Sequence, residues 1–340
     1  MKIPAIITIL CFQSCLLFSQ NNDSSKFYFD QGMQAEKGRL FAVAAKSFEK
    51  AILFNKNYSE AYIENGNVNL EMRKVDAALV NFLKAYQLQP GSNEITRQLA
   101  TLYFNNRQFQ KAINFSEKCK DCPDNDRIMG MSYYNLEDYG KAQNFLQKSL
   151  SKNSQDAEAA YTLGRTYIEL ENEKAAIPLY QKAISLEPGR NVWMYELGLI
   201  YYSQDDYKNA LKYINLAGDS GYNKSNDFYE NLGFSSIYTG DINNGIKTLN
   251  EVLTRKPNNK ELMNNMANAL YETKHYDDAL TYFTKLLELN SKDAASLYMV
   301  GMTFQKKGDK QKGQKICDKA IEMDPSLAKN RQKKDMPMGL

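Results

Sequence analysis

The chain is 340 residues long, 24% charged and 43% hydrophobic, with a formal net charge of +3. That length can carry a sizeable core. So balanced a charge argues against a nucleic-acid binder.

The opening segment, MKIPAIITILCFQSCLLFSQ, reads as an export signal. Lys2 is followed by an apolar stretch over residues 3–18 and by small Ser19. Thr8, Gln13 and Ser14 interrupt that stretch, which falls short of the about 20 apolar residues of a membrane span. Cleavage is expected between Ser19 and Gln20. The domain reading is then a signal peptide over 1–19, a linker over 20–24, a repeat region over 25–327 and a basic tail over 328–340. The expected location is the periplasm or envelope, with no membrane span in the mature chain. Cys11 and Cys15 leave a lipoprotein open, although Phe12, Gln13 and Ser14 match such a site poorly. The wealth of Asn, Lys, Tyr and Ile fits an AT-rich bacterial genome.

From Gly32 onward a period appears. Gly32, Gly66, Ala100, Gly130, Gly164, Gly198, Gly233, Ala267 and Gly301 are spaced 34, 34, 30, 34, 34, 35, 34 and 34. Twelve residues after each stands a second small residue: Ala44, Ala78, Ala112, Ala142, Ala176, Ala210, Gly245, Ala279 and Gly313. A third column is large and apolar, with Phe48, Phe82, Leu146, Tyr180, Ile214, Leu249 and Phe283, and with Ser116 and Cys317 as exceptions. Pro90, Pro188, Pro257 and Pro325 end four copies.

Each copy reads as two helices, for example AAYTLGRTYIELE and KAAIPLYQKAISLEP. A small residue on each lets the axes approach to about 8–10 Å. Proline stops the second helix. One hairpin cannot bury its apolar face, so hairpins stack in arrays. The copies are expected at about 25–58, 59–92, 93–122, 123–156, 157–190, 191–225, 226–259, 260–293 and 294–327.

This pattern resembles the tetratricopeptide repeat (TPR) family. In the best copy Leu163, Gly164, Tyr167, Ala176, Tyr180, Ala183 and Pro188 match the family's signature. The family's early Trp is missing, and Trp193 lies one place off that column. The resemblance implies an all-α, right-handed superhelical solenoid of about nine helix-turn-helix repeats, with first helices lining a concave groove. Some family members hold a carboxylate with a Lys, Asn and Arg clamp. Here Asn231 and Asn268 lie near the asparagine columns, but the basic partners are out of register.

Copy three is four residues short, and the deletion falls at CKDCPDND, residues 119–126. Cys119 stands in a column that holds Ala51, Ala85, Ala183 and Ala217 elsewhere, so it can pack as a small apolar residue. A redox pair would need a strand-helix-strand setting, and a zinc site four ligands. A local Cys119–Cys122 disulfide stays open. The expectation is a shortened joint with a local kink.

No catalytic constellation, metal site or cofactor site is expected. His275 falls in the turn KHYDD. Helical spacing turns Arg97, Phe104, Asn105, Arg127, Tyr134, Asn135, Tyr161 and Arg165 of copies three to five towards the groove, and Tyr195, Tyr202, Phe234 and Tyr271 of copies six to eight. Arginine forks suit carboxylates, and aromatic rings anchor protein contacts. The expected function is a non-catalytic envelope scaffold that binds an extended, acidic peptide or protein segment. The competing expectation is that these rings pack on adjacent repeats while the arginines pair with neighbours such as Glu94 and Glu158. A small-molecule or glycan binder, and a cytosolic adaptor, remain as alternatives.

Overall fold

A computed structural model of the chain describes residues 23–329. All regular structure among the described residues is helical. Helix α1, described over 23–37, is followed by α2 (Phe41–Phe54). Next come α3 (Ser59–Glu71) and α4 (Val75–Leu88), α5 (Asn93–Asn105) and α6 (Phe109–Ser116), α7 (Asn125–Asn135) and α8 (Tyr139–Lys152), and α9 (Ala157–Glu169) and α10 (Glu173–Leu186). The series continues with α11 (Asn191–Ser203) and α12 (Tyr207–Asp219), α13 (Asn226–Tyr238) and α14 (Ile242–Arg255), α15 (Lys260–Glu272) and α16 (Tyr276–Leu289), and α17 (Ala294–Lys306) and α18 (Lys310–Met323). A 3-10 helix, Pro325–Ala328, closes the described chain. The fold is an all-α repeat solenoid.

The chain forms two compact units, the first ending at Leu179 and the second starting at Tyr180, a boundary inside α10. The expected signal peptide, most of the linker and nearly all of the basic tail lie outside the described residues. Residues 23 and 24, expected in the linker, already belong to α1. Ala328, expected in the tail, belongs to the 3-10 helix.

The small columns do what their volume requires. A Cβ placed on Gly66 of α3 would lie 2.8 Å from the Phe82 ring of α4, and one on Gly130 of α7 would lie 2.7 Å from Leu146 of α8. In the second unit Gly233 and Leu249 are in the same relation at 2.6 Å. Cys317, one of the two exceptions in the large column, fills the same place against Gly301. Phe48, Phe82, Leu146, Ile214, Leu249 and Phe283 are all fully buried. Each contributes about 1.5–3 kcal/mol of burial free energy.

The turn inside each hairpin also repeats. Seven residues after the first small column the backbone is left-handed, at Arg39, Arg73, Arg107, Glu137, Glu171, Asp205, Gly240, Lys274 and Gly308. The next N–H reaches back over the turn, as in Lys74 N–H to Asn69 C=O at 2.8 Å and His275 N–H to Leu270 C=O at 2.7 Å. This closes the orphan carbonyls of the first helix. That same residue stands at the N-cap of the second helix. Asp138, Asp206 and Asp309 accept there from the backbone N–H three residues on. His275 occupies this position before α16, half-buried, with Nδ1 3.3 Å from Thr273 Oγ1.

At the shortened copy α6 has only eight residues. Cys119 and Cys122 are both buried and joined as a disulfide, with Cα atoms 5.8 Å apart. Asp121 between them takes a left-handed backbone, φ 57°. Asn125, at the start of α7, donates its amide to Ser116 C=O at 3.0 Å and Cys119 C=O at 2.6 Å. It therefore satisfies carbonyls that a longer α6 would have bonded itself. Packing as a small residue and pairing with Cys122 both hold for Cys119.

Gly66→Val would push its side chain into Phe82 and is expected to destabilise the chain by about 1–3 kcal/mol. Gly91→Ala, with nothing within 4 Å of the added Cβ, is the control and should leave the urea midpoint unchanged. Equal midpoints for both variants would refute the close-approach account.

Candidate functional site

The side chains singled out on the first helices divide by how firmly the repeats hold them. In the first unit Arg97, on α5, is exposed and makes no ion pair among the described residues. Arg127, on α7, is committed. Its Nε lies 2.7 Å from Asp156 and its terminal nitrogen 2.7 Å from Glu158. Asp156 at the same time caps α9, accepting from Ala159 N–H at 2.9 Å. Arg127 thus ties α7 to the start of α9, and its charge is met within the chain. Arg165, on α9, lies 5.4 Å over the Tyr134 ring and 5.9 Å from the Tyr161 ring. A guanidinium over an aromatic face is held by the ring quadrupole.

Several groove rings belong to a recurring pair across the hairpin turn. Phe104 meets Phe109 edge-on at 5.9 Å, and Tyr134 meets Tyr139 at 5.8 Å. In the second unit Tyr202 meets Tyr207 at 5.3 Å, and Tyr271 meets Tyr276 at 5.8 Å. The partners stand five residues apart in every case. Each pair is worth about 0.5–1.5 kcal/mol beyond its area. These rings are half-buried, so they brace the hairpin and still present an edge.

Two expected groove rings in the second unit are taken up by packing. Tyr195 is 8% exposed, stacked on Tyr222 at 4.3 Å, and its hydroxyl accepts from Asn231 at 2.9 Å. Phe234 is equally buried, within the core of the second unit. Helical spacing put both on the right helices but could not show their depth.

The structure adds features the spacing did not pick out. Tyr207 stacks on Tyr238 at 4.2 Å. Tyr207 donates its hydroxyl to Asp205 at 2.6 Å, and Tyr238 donates to Glu272 at 2.9 Å. Burial first, and then the hydrogen-bonded carboxylates, raises both phenols well above the usual tyrosine range. A cavity of about 680 Å³ opens among α14, α15 and α16. Leu253, Pro257, Met263 and Leu289 give it an apolar lining, with Lys285 and Glu288 in its wall. The repeat columns carry no signal for it, because it forms where second helices neighbour one another. No group of three or more metal-ligating side chains comes together among the described residues.

In the first unit Glu36 of α1 faces acidic neighbours. Burial, then Glu64 and Glu71, pushes its carboxyl above the usual glutamate range. One of its oxygens is buried with no hydrogen-bond partner among the described residues.

Hairpins closed this way, repeated at this spacing, define a helical-repeat interaction protein. Models described as tetratricopeptide repeat match residues 128–156, 157–190, 174–223, 260–293 and 294–327. Residues 128–223 and 260–327 are thereby identified as tetratricopeptide repeats. Three of the matched segments, 157–190, 260–293 and 294–327, carry the bounds that the residue spacing predicts.

Among curated proteins the chain is 24% identical over 186 residues to anaphase-promoting complex subunit 6 of Arabidopsis thaliana, covering 52% of this chain and 34% of that protein. It is 22% identical over 284 residues to DnaJ protein P58IPK homolog A of Oryza sativa, covering 77% of this chain and 58% of that one. The chain spans less than two thirds of the length of either relative. The solved C-terminal part of a TPR repeat-containing protein from Cytophaga hutchinsonii is 20% identical, with a TM-score of 0.47, over 70% of this chain and 99% of that one.

A carboxyl with a raised folded-state pKa costs stability while it is charged. That cost fades as pH falls through the folded value. Glu36→Gln is therefore expected to stabilise the chain at neutral pH, and the two proteins should converge at acid pH below the ordinary glutamate range. A neutral-pH midpoint lower than wild type would show that the carboxylate is held by a favourable partner.

Proposed function

We propose that this chain is a non-catalytic protein-interaction scaffold whose first-helix face holds an extended segment of a partner protein. The observation that carries this is the arginine and ring surface of the first unit. Arg165 lies across Tyr134 and Tyr161, and Arg97 stands exposed one repeat earlier in the series than the paired Arg127. Rings pre-positioned by their hairpins lose little freedom on binding. Arginine forks add direction for carboxylates. The described chain is repeat from end to end, and a relative named as a subunit of a multi-protein complex fits a scaffold.

The exposed charge offered to a partner is that of Arg97, with Arg165 held on the Tyr134 and Tyr161 rings. Arg127 is spent on Asp156 and Glu158, and reversing it would break α7 from the start of α9. A photo-reactive side chain at exposed Asn105, on α5, should cross-link a partner protein. The same group at exposed Asn144, on α8, should not. Arg97→Glu with Arg165→Glu should abolish the capture while helicity is retained. Capture that is equal from both positions, or unchanged in the double variant, would move the contact off this face.

The working location in this reading is an oxidising compartment of the bacterial envelope. The leader-like opening segment and the Cys119–Cys122 pair support it, because disulfides persist where thiol reductants are absent. In protein taken directly from cells, unfolded and alkylated without reductant, Cys317 should react while Cys119 and Cys122 are spared. Labelling of all three would place the chain among reductants.

A further inference from the structure

Three tyrosines of the second unit, Tyr202, Tyr207 and Tyr238, sit beside acceptors and have no cation over their rings among the described residues, whereas Tyr213, Tyr229 and Tyr282 each carry one. We infer that Tyr202, Tyr207 and Tyr238, flanked by Asp205 and Glu272, form a receptor for the guanidinium or ammonium group of a basic side chain. The geometry is fixed on several elements. Tyr202 comes from the end of α11 and meets Tyr207, at the start of α12, edge-on at 5.3 Å. Tyr207 stacks on Tyr238, at the end of α13, at 4.2 Å. Glu272, on α15, holds the Tyr238 hydroxyl, and Asp205 in the turn holds the Tyr207 hydroxyl.

Tyr207 and Tyr238 spend their phenol protons on carboxylates. The cluster therefore offers electron-rich rings and carboxylate oxygens, with the Tyr207 and Tyr238 protons already engaged. The three rings are half-buried and both carboxylates are exposed, so a ligand can reach them. No lysine or arginine among the described residues lies over any of the three rings or pairs with either carboxylate. Burial raises all three phenols, and the further causes are carboxylates and other phenols, with no lysine or arginine.

The first unit shows what such a ring pair accepts. There Tyr134, of the equivalent pair Tyr134 and Tyr139, carries the guanidinium of Arg165, supplied by the next repeat. Arg165 directly follows the small residue Gly164. In the repeat after Tyr202 the residue that directly follows the small Gly233 is Phe234. The chain thus provides its own cation to one tyrosine pair and an apolar ring to the other. Cation–ring contacts gain where water is partly excluded, and carboxylates within reach add an ion pair.

The inference rests on reading the first-helix face as the partner surface, and it deepens that reading. The partner segment would bring a Lys or Arg to this cluster, opposite in sign to the chemistry selected by Arg97 and Arg165. The test is a titration of the full chain, with ¹³C-labelled tyrosine rings, by N-acetyl-argininamide. N-acetyl-glutaminamide serves as the neutral control. Ring signals are assigned with Tyr207→Phe and Tyr238→Phe.

Saturable shifts of the Tyr207 and Tyr238 rings are expected with the arginine probe only. Binding should weaken roughly threefold or more in the Asp205→Asn, Glu272→Gln double variant. Both amides can still accept the phenol hydrogen bonds, and asparagine tolerates the left-handed backbone of residue 205, so the cluster keeps its shape. No saturable shift, an equal response to the neutral probe, or unchanged affinity in the double variant would each overturn the receptor. The titration needs no partner. Responding rings with failed cross-linking from Asn105 would sink the scaffold reading alone, and silent rings with intact cross-linking would sink this one alone.

Discussion

The contact between a small residue on each first helix and a large apolar residue on the following second helix sets everything else. At Gly66 and Phe82, and again at Gly233 and Leu249, there is no room for even one added carbon. Helix axes that approach this closely fix where the turn must close and which side chains can meet across it. Even Cys317, one of the two odd members of the large column, obeys the rule by filling the same space against Gly301.

Two further features follow from that spacing. The turn needs one left-handed residue, whose successor both ends the first helix and caps the second. The ring four residues past the small column then lies within edge-on reach of the ring that opens the second helix, as in Phe104 with Phe109 and Tyr202 with Tyr207. The groove rings are therefore structural and presentable at once. This is why treating them as either core or binding surface divides the wrong way. Tyr195 and Phe234 are the ones the core has claimed outright.

Charge is handled differently in the two units. In the first, Arg127 is neutralised by Asp156 and Glu158, and Arg165 rests on rings, so Arg97 is the arginine of the three left to solvent. In the second, carboxylates hold tyrosine hydroxyls and no arginine stands over those rings. Family and fold define a scaffold. The local pairing of charges and rings is what separates one such scaffold from another, because fold alone does not select a ligand.

Much of the architecture is legible in the residues themselves. The small and large columns, the copy bounds and the short third copy are volume constraints, and a volume constraint leaves its mark on residue size. The left-handed turn position leaves almost none, since Arg, Glu, Asp and Lys stand there more often than Gly. Nor does the 3.6-residue period disclose depth: it names the face of α11 or α13 that carries Tyr195 or Phe234, while burial depends on how far the neighbouring helices cover that face. The commitment of Arg127 to the start of α9, the disulfide at the shortened joint, the cavity among α14, α15 and α16, and the meeting of Tyr207 with Tyr238 were likewise decided only by tertiary structure. Each depends on distances between side chains some 30 residues apart or at a break in the repeat. A sequence period encodes what every copy shares. It cannot encode what one copy does with its neighbour.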